Sequence, residues 1–216
     1  MNAAQRFIGV ILAAGEGRRF GGPKQIEITP TGQTLLGLTI ETLQHAGIRD
    51  VVVVSGARPA EIERVARFAG VSVAHNPQWS TGMGSSIRCA ARYVAEEIAG
   101  EIAGVLICCA DQPYLSSRHL LTMQKKFAQG AHLVVASSYN NTFGVPALFD
   151  TQLLCELERI DAAKGAKSLI TMHESETCFV NDERLCVDID TREDWMRWTE
   201  FDDEHLHSDR RSGSCS

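Results

Sequence analysis

The amino-acid sequence predicts an α/β domain of three layers, built around a mainly parallel sheet. Short β-branched runs alternate with longer segments in which apolar residues recur at helical spacing. The runs at 8–12 and 51–54 are apolar at successive positions, as strands buried on both faces are. A length of 216 residues suits one domain of this kind, which we expect to occupy residues 1–198.

The predicted elements follow one another without an internal repeat or a low-complexity linker. Apolar spacing and helix-end signals predict helices at 35–46, 59–69, 83–98, 116–128 and 191–198. Strands are predicted at 8–12, 51–54, 71–75, 105–110 and 132–137. This alternation indicates right-handed βαβ units. Residues 199–216 are polar and are predicted to form a disordered tail.

Composition and charge exclude several classes of function. A hydrophobic content of 44% with 22% charged residues is typical of soluble globular proteins. The net charge of −6 argues against gripping nucleic acid by bulk positive charge. No apolar run approaches the roughly 20 residues of a membrane span, and residues 1–6 carry no signal-peptide pattern. Seven cysteines, mostly in apolar segments, predict buried reduced thiols in a cytoplasmic protein.

The first strand leads into a short loop rich in glycine and positive charge. Its glycines and cations are Gly15, Gly17, Gly21, Gly22, Arg18, Arg19 and Lys24. A buried strand that ends in such a loop presents backbone N–H groups to phosphates. The small side chains at 13–15 leave the main chain accessible to a ligand. We therefore predict a phosphate-binding loop here, with Lys24 facing solvent.

Two familiar phosphate-binding motifs are excluded by single residues. The dinucleotide fingerprint G-x-G-x-x-G requires glycine where Phe20 stands. The Walker loop requires glycine before its lysine and serine or threonine after it, whereas Pro23 precedes Lys24 and Gln25 follows it. The loop must therefore belong to another class.

Asp111 follows the strand at 105–110 and begins Asp-Gln-Pro. Ligands of open α/β sheets bind beyond the carboxyl ends of the parallel strands. Pro113 prevents the chain from continuing as a helix, so we expect the carboxylate to face the cleft. A hard oxygen ligand opposite a triphosphate suits Mg²⁺. The alternative is an aspartate that only starts a loop or caps the helix from about Ser116.

Two further carboxylates lie near the end of the domain. Asp188 and Asp190 alternate around Ile189, so both point to the same face of an extended segment. Two such carboxylates repel each other unless a cation, a donor or solvent accommodates them. Thr191 is a natural N-cap for the helix through Trp198, which leaves open a purely structural role for the aspartates.

A second polar loop, at 76–86, leads into the helix at 83–98. Its end holds Gly82 and Gly84, followed by Ser85 and Ser86 in the first turn of the helix. Serines at this position are commonly N-caps, and the alternative is contact with a ligand.

Taken together, these motifs resemble those of nucleotidyltransferases. Residues 12–24 read Leu-Ala-Ala-Gly-x-Gly-x-Arg-Phe-Gly-x-x-Lys, which is similar to the signature loop of those enzymes. Asp-Gln-Pro at 111–113 and Asp-Ile-Asp-Thr at 188–191 resemble the molybdopterin branch, the family of MobA-like transferases that attach a nucleotide to molybdopterin. The resemblance covers residues 7 to about 198 and implies the Rossmann-like architecture of nucleotide-diphospho-sugar transferases. The chain departs from the family pattern at Gly84, Val145, Ala162, Ala163 and Arg192.

The resemblance implies transfer of CMP from CTP to molybdopterin with release of pyrophosphate. It implies catalytic roles for Arg19, Lys24 and Asp111, with Mg²⁺ held by Asp111 together with Asp188 or Asp190. The nucleotide is expected to contact Leu12, Ala13, Ala14, Gly15, Gly17, Arg18, Gly82 and Ser86. CTP is expected rather than GTP, because guanylyltransferases of the family typically carry glycine at the position of Ala14. A molybdenum hydroxylase or its maturation factor is the expected protein partner, with no membrane or nucleic-acid partner.

Three alternatives stay open. Pro23-Lys24-Gln25 favours a cytidylyltransferase of isoprenoid synthesis, although the Asp-Ala-Ala-Arg-Pro segment of that family is absent. A sugar-1-phosphate nucleotidyltransferase is the second. The third is a non-catalytic carrier of the molybdenum cofactor for a molybdenum hydroxylase, against which the presence of Arg19, Lys24 and Asp111 argues.

Overall fold

A seven-stranded sheet forms the middle layer of the computed structural model, which describes residues 5–200. The strands are β1 Phe7–Leu12, β2 Asp50–Ser55, β3 Ser72–His75, β4 Gly104–Cys109, β5 Val134–Tyr139, β6 Thr142–Asp150 and β7 Thr177–Asn181. Their order across the sheet is β3-β2-β1-β4-β6-β5-β7. Only the pairs that β6 makes with β4 and β5 are antiparallel among these strands. The prediction of a mainly parallel sheet is confirmed.

Helices cover both faces of the sheet, as the three-layer prediction requires. They are α1 Leu35–His45, α2 Pro59–Phe68, α3 Met83–Glu97, α4 Ser117–Phe127, α5 Leu154–Leu157 and α6 Ala166–Met172. The core on one face is built with residues of α1, α2 and α4, and the core on the other with residues of α3, α5 and α6. Residues 192–200 are also helical.

The unbroken apolar runs follow from this layering. Along β1, Phe7 and Ile11 pack into the core of one face, and Ile8 and Val10 pack into the core of the other. Because side chains alternate along a strand, a strand covered on both sides must be apolar at every position. The predicted strands and helices of the first 139 residues lie within a few residues of those observed.

The strands β6 and β7 are absent from the sequence prediction. Pro146 argues against a central strand, because proline cannot donate a hydrogen bond to its neighbour. The register of β5 and β6 shifts between Ala136 and Ser137, which leaves Val145 and Pro146 in a bulge. The Ser137 hydroxyl donates to the Pro146 carbonyl over 2.7 Å. The bulge therefore accommodates the proline in the interior of the sheet.

The cysteines of residues 5–200 are all free. Cys108 and Cys109 are buried, as predicted, whereas Cys155 and Cys186 are exposed, contrary to the expectation of mainly buried thiols. None of the helices in this part of the chain is long and apolar enough to span a membrane.

Deletion of residues 201–216 is expected to leave the melting temperature unchanged. This segment, most of the predicted tail, lies outside the described residues, and its low apolar content argues against stable docking. Trp198 provides the control, because only 3% of it is exposed and Trp198→Ala should cost about 3 kcal/mol or more. Thermal unfolding of the three proteins tests this. A fall of several degrees on tail deletion alone would show that the tail packs.

Candidate active site

A cleft of about 420 Å³ opens where β1 and β4 end. It is bounded by the glycine-rich loop, the start of α3 and Asp111. Of the residues predicted to contact a nucleotide, all but Ala13 line it. The Ala13 side chain packs into the core of the opposite face, because alternation along the strand directs it away from Leu12 and Ala14.

The glycine-rich loop closes on itself through backbone hydrogen bonds. The N–H groups of Gly21 and Gly22 donate to the Gly17 carbonyl over 3.0 and 3.2 Å. Gly17 has φ of +71°, and a Cβ atom there would overlap the Gly22 carbonyl. Only glycine satisfies both conditions, so this residue determines the shape of the loop. Arg18 projects outward and pairs with Glu16.

Phe20 anchors this loop to the closing segment of the domain. Its buried ring packs in a cluster with Leu35, Ile189 and Trp198. The guanidinium carbon of Arg192 lies 4.1 Å from the centroid of the Phe20 ring, and Arg192 also pairs with Glu27 over 2.7 Å. Phe20, which excludes the dinucleotide fingerprint in the sequence, therefore has a structural role in attaching the loop to the rest of the domain. Arg192, a departure from the family pattern, belongs to the same contact.

Lys24 is buried, which corrects the expectation that it lies in a solvent-facing loop. Residues Lys24–Ile26 form a 3-10 turn that leaves only 9% of the lysine exposed. Its ammonium nitrogen lies 2.8 Å from Asp111 Oδ2 and 3.0 Å from Asp190 Oδ1. Burial by itself lowers the pKa of Lys24, but the two carboxylates outweigh it and the pKa is raised. Lys24 is therefore charged, and it links Asp111, which follows β4, to Asp190, which lies near the end of the domain.

Asp190 is held in place from both sides. Its second oxygen lies 3.0 Å from Nη2 of Arg19. Its backbone N–H donates to Asp194, which also accepts from the N–H of Thr191 over 2.8 Å. The Asp194 N–H donates in return to the Thr191 hydroxyl over 3.1 Å. This reciprocal capping confirms Thr191 as an N-cap and positions Asp190 at the start of the helix at 192–200.

Asp188 is exposed to solvent and does not line the cleft. Partial desolvation by the surrounding chain, followed by the charges of Asp111 and Asp190, raises the pKa of Asp188 to about 7. Three carboxylates therefore share one region, and only two of them are directly neutralised by Lys24. A further positive charge would relieve the remaining repulsion.

A divalent cation fits this set of donors if substrate completes its coordination. Within residues 5–200, no three carboxylate, imidazole or thiol groups are placed to enclose a metal by themselves. Asp111 and Asp190 nevertheless converge on a single cationic group, the ammonium of Lys24. Mg²⁺ typically takes one or two carboxylates and fills its other positions with water and substrate phosphates.

The serines at the start of α3 are not caps. The N-cap of α3 is Gly82, and no side chain caps this helix. The Ser85 hydroxyl donates to the Gly82 carbonyl over 2.8 Å. The buried Asn76 amide donates to Ser85 and Ser86 over 2.9 and 3.0 Å. This network holds Ser86 in the wall of the cleft.

The glycines before and within α3 make room for another loop. A Cβ atom on Gly84 would overlap the carbonyls of Asp161 and Lys164, and one on Gly82 would lie 2.5 Å from the carbonyl of Ala162. The loop that carries the departures at Ala162 and Ala163 therefore packs, through Asp161 and Lys164, against the departure at Gly84. The Asp161 carboxylate accepts a hydrogen bond from the Ala163 N–H and does not line the cleft.

Sequence reasoning missed Trp79, Met83 and Cys109, which also line the cleft. Met83 begins the helix predicted from apolar spacing at 83–98, yet 48% of it is exposed. Burial, followed by the charge of Asp111, raises the pKa of Cys109 well above its ordinary value, so this thiol stays protonated. An aromatic residue in the polar loop at 76–86 was the available signal for Trp79.

A larger cavity, about 670 Å³, lies between β3 and α3. Neither the glycine-rich loop nor any of the three carboxylates lines it. Its charged side chains are Arg88, Arg92, Glu96 and Glu97, whereas Lys24, Asp111 and Asp190 line the smaller cleft.

Residues 9–177 match the family model of the MobA-like NTP transferase domain. The chain belongs to this family. The matched region contains the glycine-rich loop, Lys24 and Asp111, and it ends before Asp188. The predicted family is thereby confirmed.

Comparison with known proteins supports the fold of this MobA-like domain. It is 37% identical over 110 residues to nicotine blue oxidoreductase of Paenarthrobacter nicotinovorans, and the chain spans 50% of that relative's length. Rv0371c from Mycobacterium tuberculosis H37Rv is 24% identical, with a TM-score of 0.75 over 92% of this chain and 100% of that chain. Another structure of Rv0371c is a complex with manganese.

Molybdopterin-guanine dinucleotide biosynthesis protein A from Archaeoglobus fulgidus is 16% identical to the MobA-like domain, with a TM-score of 0.67 over 91% of this chain and 99% of that chain. At such identities, the likeness to the solved structures concerns the fold. The predicted Rossmann-like nucleotidyltransferase architecture is confirmed.

Proposed function

We propose that the protein transfers CMP from CTP to the phosphate of molybdopterin and releases pyrophosphate. One observation carries this proposal. Lys24 contacts both Asp111 and Asp190, and all three residues line the same cleft as the glycine-rich loop. Cations suited to phosphates and carboxylates suited to a divalent metal are the parts that nucleotidyl transfer requires. The product would pass to a molybdenum hydroxylase or its maturation factor.

In the proposed reaction, an oxygen of the acceptor phosphate attacks the α-phosphorus of CTP. The bond from the α-phosphorus to the bridging oxygen breaks, and the electron pair leaves with pyrophosphate. Arg19 and Lys24 hold the phosphates, with Arg18 at the mouth of the cleft, and they offset the charge that develops on the leaving group. The acceptor phosphate is already ionised at neutral pH, so no general base is required.

Asp111, together with Asp190 or Asp188, would hold Mg²⁺. The metal supplies additional positive charge to the phosphate oxygens. Lys24 is paired with the same carboxylates in the free protein, so substrate binding requires it to exchange carboxylate partners for phosphate. Because its pKa is raised, Lys24 stays charged both when it contacts the carboxylates and when it contacts the phosphates.

CTP should be used in preference to GTP, because Ala14 narrows the cleft beside the main chain. Ala14 is 6% exposed, and its methyl group packs closely on Gly56, where an added Cβ atom would lie 2.7 Å away. Exclusion of a larger base by shape can give strong discrimination. Competition between CTP and GTP for turnover measures the preference, and Ala14→Gly should relax it. Equal or better use of GTP by the wild-type protein would refute the assignment.

The deciding experiment is divalent-cation-dependent release of pyrophosphate from a panel of triphosphates and acceptors. Molybdopterin, 2-C-methyl-D-erythritol 4-phosphate and sugar 1-phosphates separate the three transferase reactions. Reduction of nicotine blue should be assayed separately, because one relative is named as its oxidoreductase. Binding of molybdopterin without pyrophosphate release would favour the non-catalytic carrier.

A further inference from the structure

The cavity of about 670 Å³ between β3 and α3 lies along one edge of the sheet. We call it the edge groove. Within the described part of the chain, β3 is the last strand on this side and pairs with β2 alone. Residues 73–77 line one side of the groove, and one face of α3 lines the other. A chain laid in this groove would therefore run beside a strand that has no partner there.

The backbone of β3 has hydrogen-bonding groups on the side of the edge groove. The Asn76 N–H donates to the Ser55 carbonyl of β2 over 2.9 Å. Because alternate residues of a strand bond to one neighbour, the peptide groups of Val73 and His75 point away from β2. Apart from the ladder with β2, one contact within residues 5–200 reaches these groups, from the Cys89 thiol to the His75 carbonyl at 3.5 Å. The N–H and C=O of Val73 and the N–H of His75 are therefore available to another strand.

The α3 side of the edge groove carries charged side chains in two groups. Arg88 is half-buried and Arg92 is exposed, and they lie one helical turn apart on the same face. Glu96 follows one turn later, next to Glu97, and both are exposed. None of these four side chains forms an ion pair with another residue in the range 5–200. The groove therefore presents a basic section followed by an acidic section.

The separation of these charges matches the repeat of an extended chain. From Arg88 to Glu96 the helix rises about 12 Å. Four residues of a β-strand span about 13 Å. Residues four apart in a strand also point to the same side. One added strand can therefore place an acidic side chain against Arg88 and Arg92 and a basic side chain against Glu96 and Glu97.

The opposite edge of the sheet, at β7, has a different charge pattern. A cavity beside β7 is lined by Phe179 and Asn181 of that strand. The charged side chains that line it are Glu174 and Glu183. Like charges placed against each other at an interface are unfavourable, so this edge repels an acidic segment. Of the two sheet edges in the described residues, β3 is the one whose surroundings attract such a segment.

We propose that the edge groove is a docking surface for a partner protein that adds an extended segment to β3 as a further strand. The segment carries an acidic residue and, about four positions away, a basic residue on the side that faces α3. Backbone hydrogen bonds to β3 provide affinity, and the charges of α3 select the sequence and fix its position along the groove. Neither the docking surface nor the proposed reaction requires the other.

A fluorescent peptide of about eight residues is the probe for this surface. It alternates valine or threonine with two glutamates and, farther along, one lysine, so that the charges share one side. Fluorescence anisotropy should show saturable binding, and hydrogen exchange followed by NMR should slow at the N–H groups of Val73 and His75. The amides of β7 should exchange at an unchanged rate. Absence of binding at millimolar peptide, or unchanged exchange in β3, would overturn the proposal.

Methylation of the peptide backbone separates strand addition from attraction between charges. Two versions of the probe carry N-methyl groups at alternate amides, one version at each set of alternate positions. Only one set of amides faces β3, so one version should bind at least tenfold more weakly and the other should bind like the unmodified peptide. Equal affinities of the two versions would show that the charges hold the peptide without strand addition, and this result would refute the docking mode.

Paired substitutions on two helices test the charges. Arg88→Ala combined with Arg92→Ala should weaken binding of the unmodified peptide about tenfold. Arg64→Ala combined with Arg67→Ala removes the same charge from exposed positions of α2, which packs on the opposite face of the sheet, and should have little effect. Thermal melts establish that both double variants fold. If the two double variants bind the peptide equally well, the charges of α3 do not select the segment and the proposal fails.

Discussion

Asp111→Asn should remove divalent-cation-dependent turnover and leave the fold intact. Asparagine preserves the shape of the side chain but removes the charge that a metal requires, and loss of one electrostatic partner in a catalytic site typically costs about 10²-fold or more. The fold should tolerate the change because Lys24 keeps Asp190 as a partner. The repulsion that raises the pKa of Asp188 also decreases. Turnover measured across a Mg²⁺ titration, with a thermal melt of each protein, tests both parts.

Asp50→Asn is the matched control for this experiment. Asp50 pairs with Arg6 at the opposite end of the sheet, and its side chain is 45% exposed. The same chemical change at this position should alter turnover little, because exposed ion pairs contribute little to stability. Near-normal activity of Asp111→Asn at low Mg²⁺ would mean that the metal is held elsewhere, with Asp188 and Asp190 as the candidates.

Lys24→Ala should lower both triphosphate affinity and stability. Loss of a charge-assisted contact to the phosphates should cost on the order of 1.5–3 kcal/mol of binding free energy. The loss of stability follows from the structure. Removal of Lys24 leaves the carboxylates of Asp111, Asp188 and Asp190 close together without the ammonium group that offsets their charge. A carboxylate left without its partner in a partly buried site costs roughly 1–3 kcal/mol, which is several degrees in melting temperature.

A divalent cation should reverse part of this loss. If Asp111 and Asp190 can hold a metal, Mg²⁺ without nucleotide should raise the melting temperature of Lys24→Ala more than that of the wild type, in which the ammonium competes for the same oxygens. Lys24→Met separates charge from volume and should behave like Lys24→Ala. Lys125→Ala, on the exposed side of α4, should change neither property. An unchanged melting temperature and an unchanged affinity for tripolyphosphate in Lys24→Ala would remove Lys24 from the site.

Local patterns explain why much of the fold was predictable. The apolar runs of β1, β2 and β4 encode burial on both faces, and this does not depend on which strands are neighbours. The strand β6 could not be predicted from such a pattern, because it contains a proline that the sheet accommodates in a bulge formed with β5. Likewise, the sequence suggests that the serines of α3 are N-caps, whereas the N-cap is Gly82. The structure shows the reason, because the loop at 161–164 packs so closely on Gly82 and Gly84 that only glycine fits there.

The sequence by itself determined the family and the glycine-rich loop that is predicted to bind phosphate. It also supplied the candidate residues Arg19, Lys24, Asp111, Asp188 and Asp190, since each belongs to a short motif with a local signal. The tertiary structure decided how they combine. Lys24 and Asp190 are 166 positions apart, and their contact buries a lysine that the loop alone would leave in solvent. Trp79 and the raised pKa of Asp188 depend in the same way on groups brought together from separate segments. Charge neutralisation and burial are properties of that assembled neighbourhood, and no single stretch of the chain carries them.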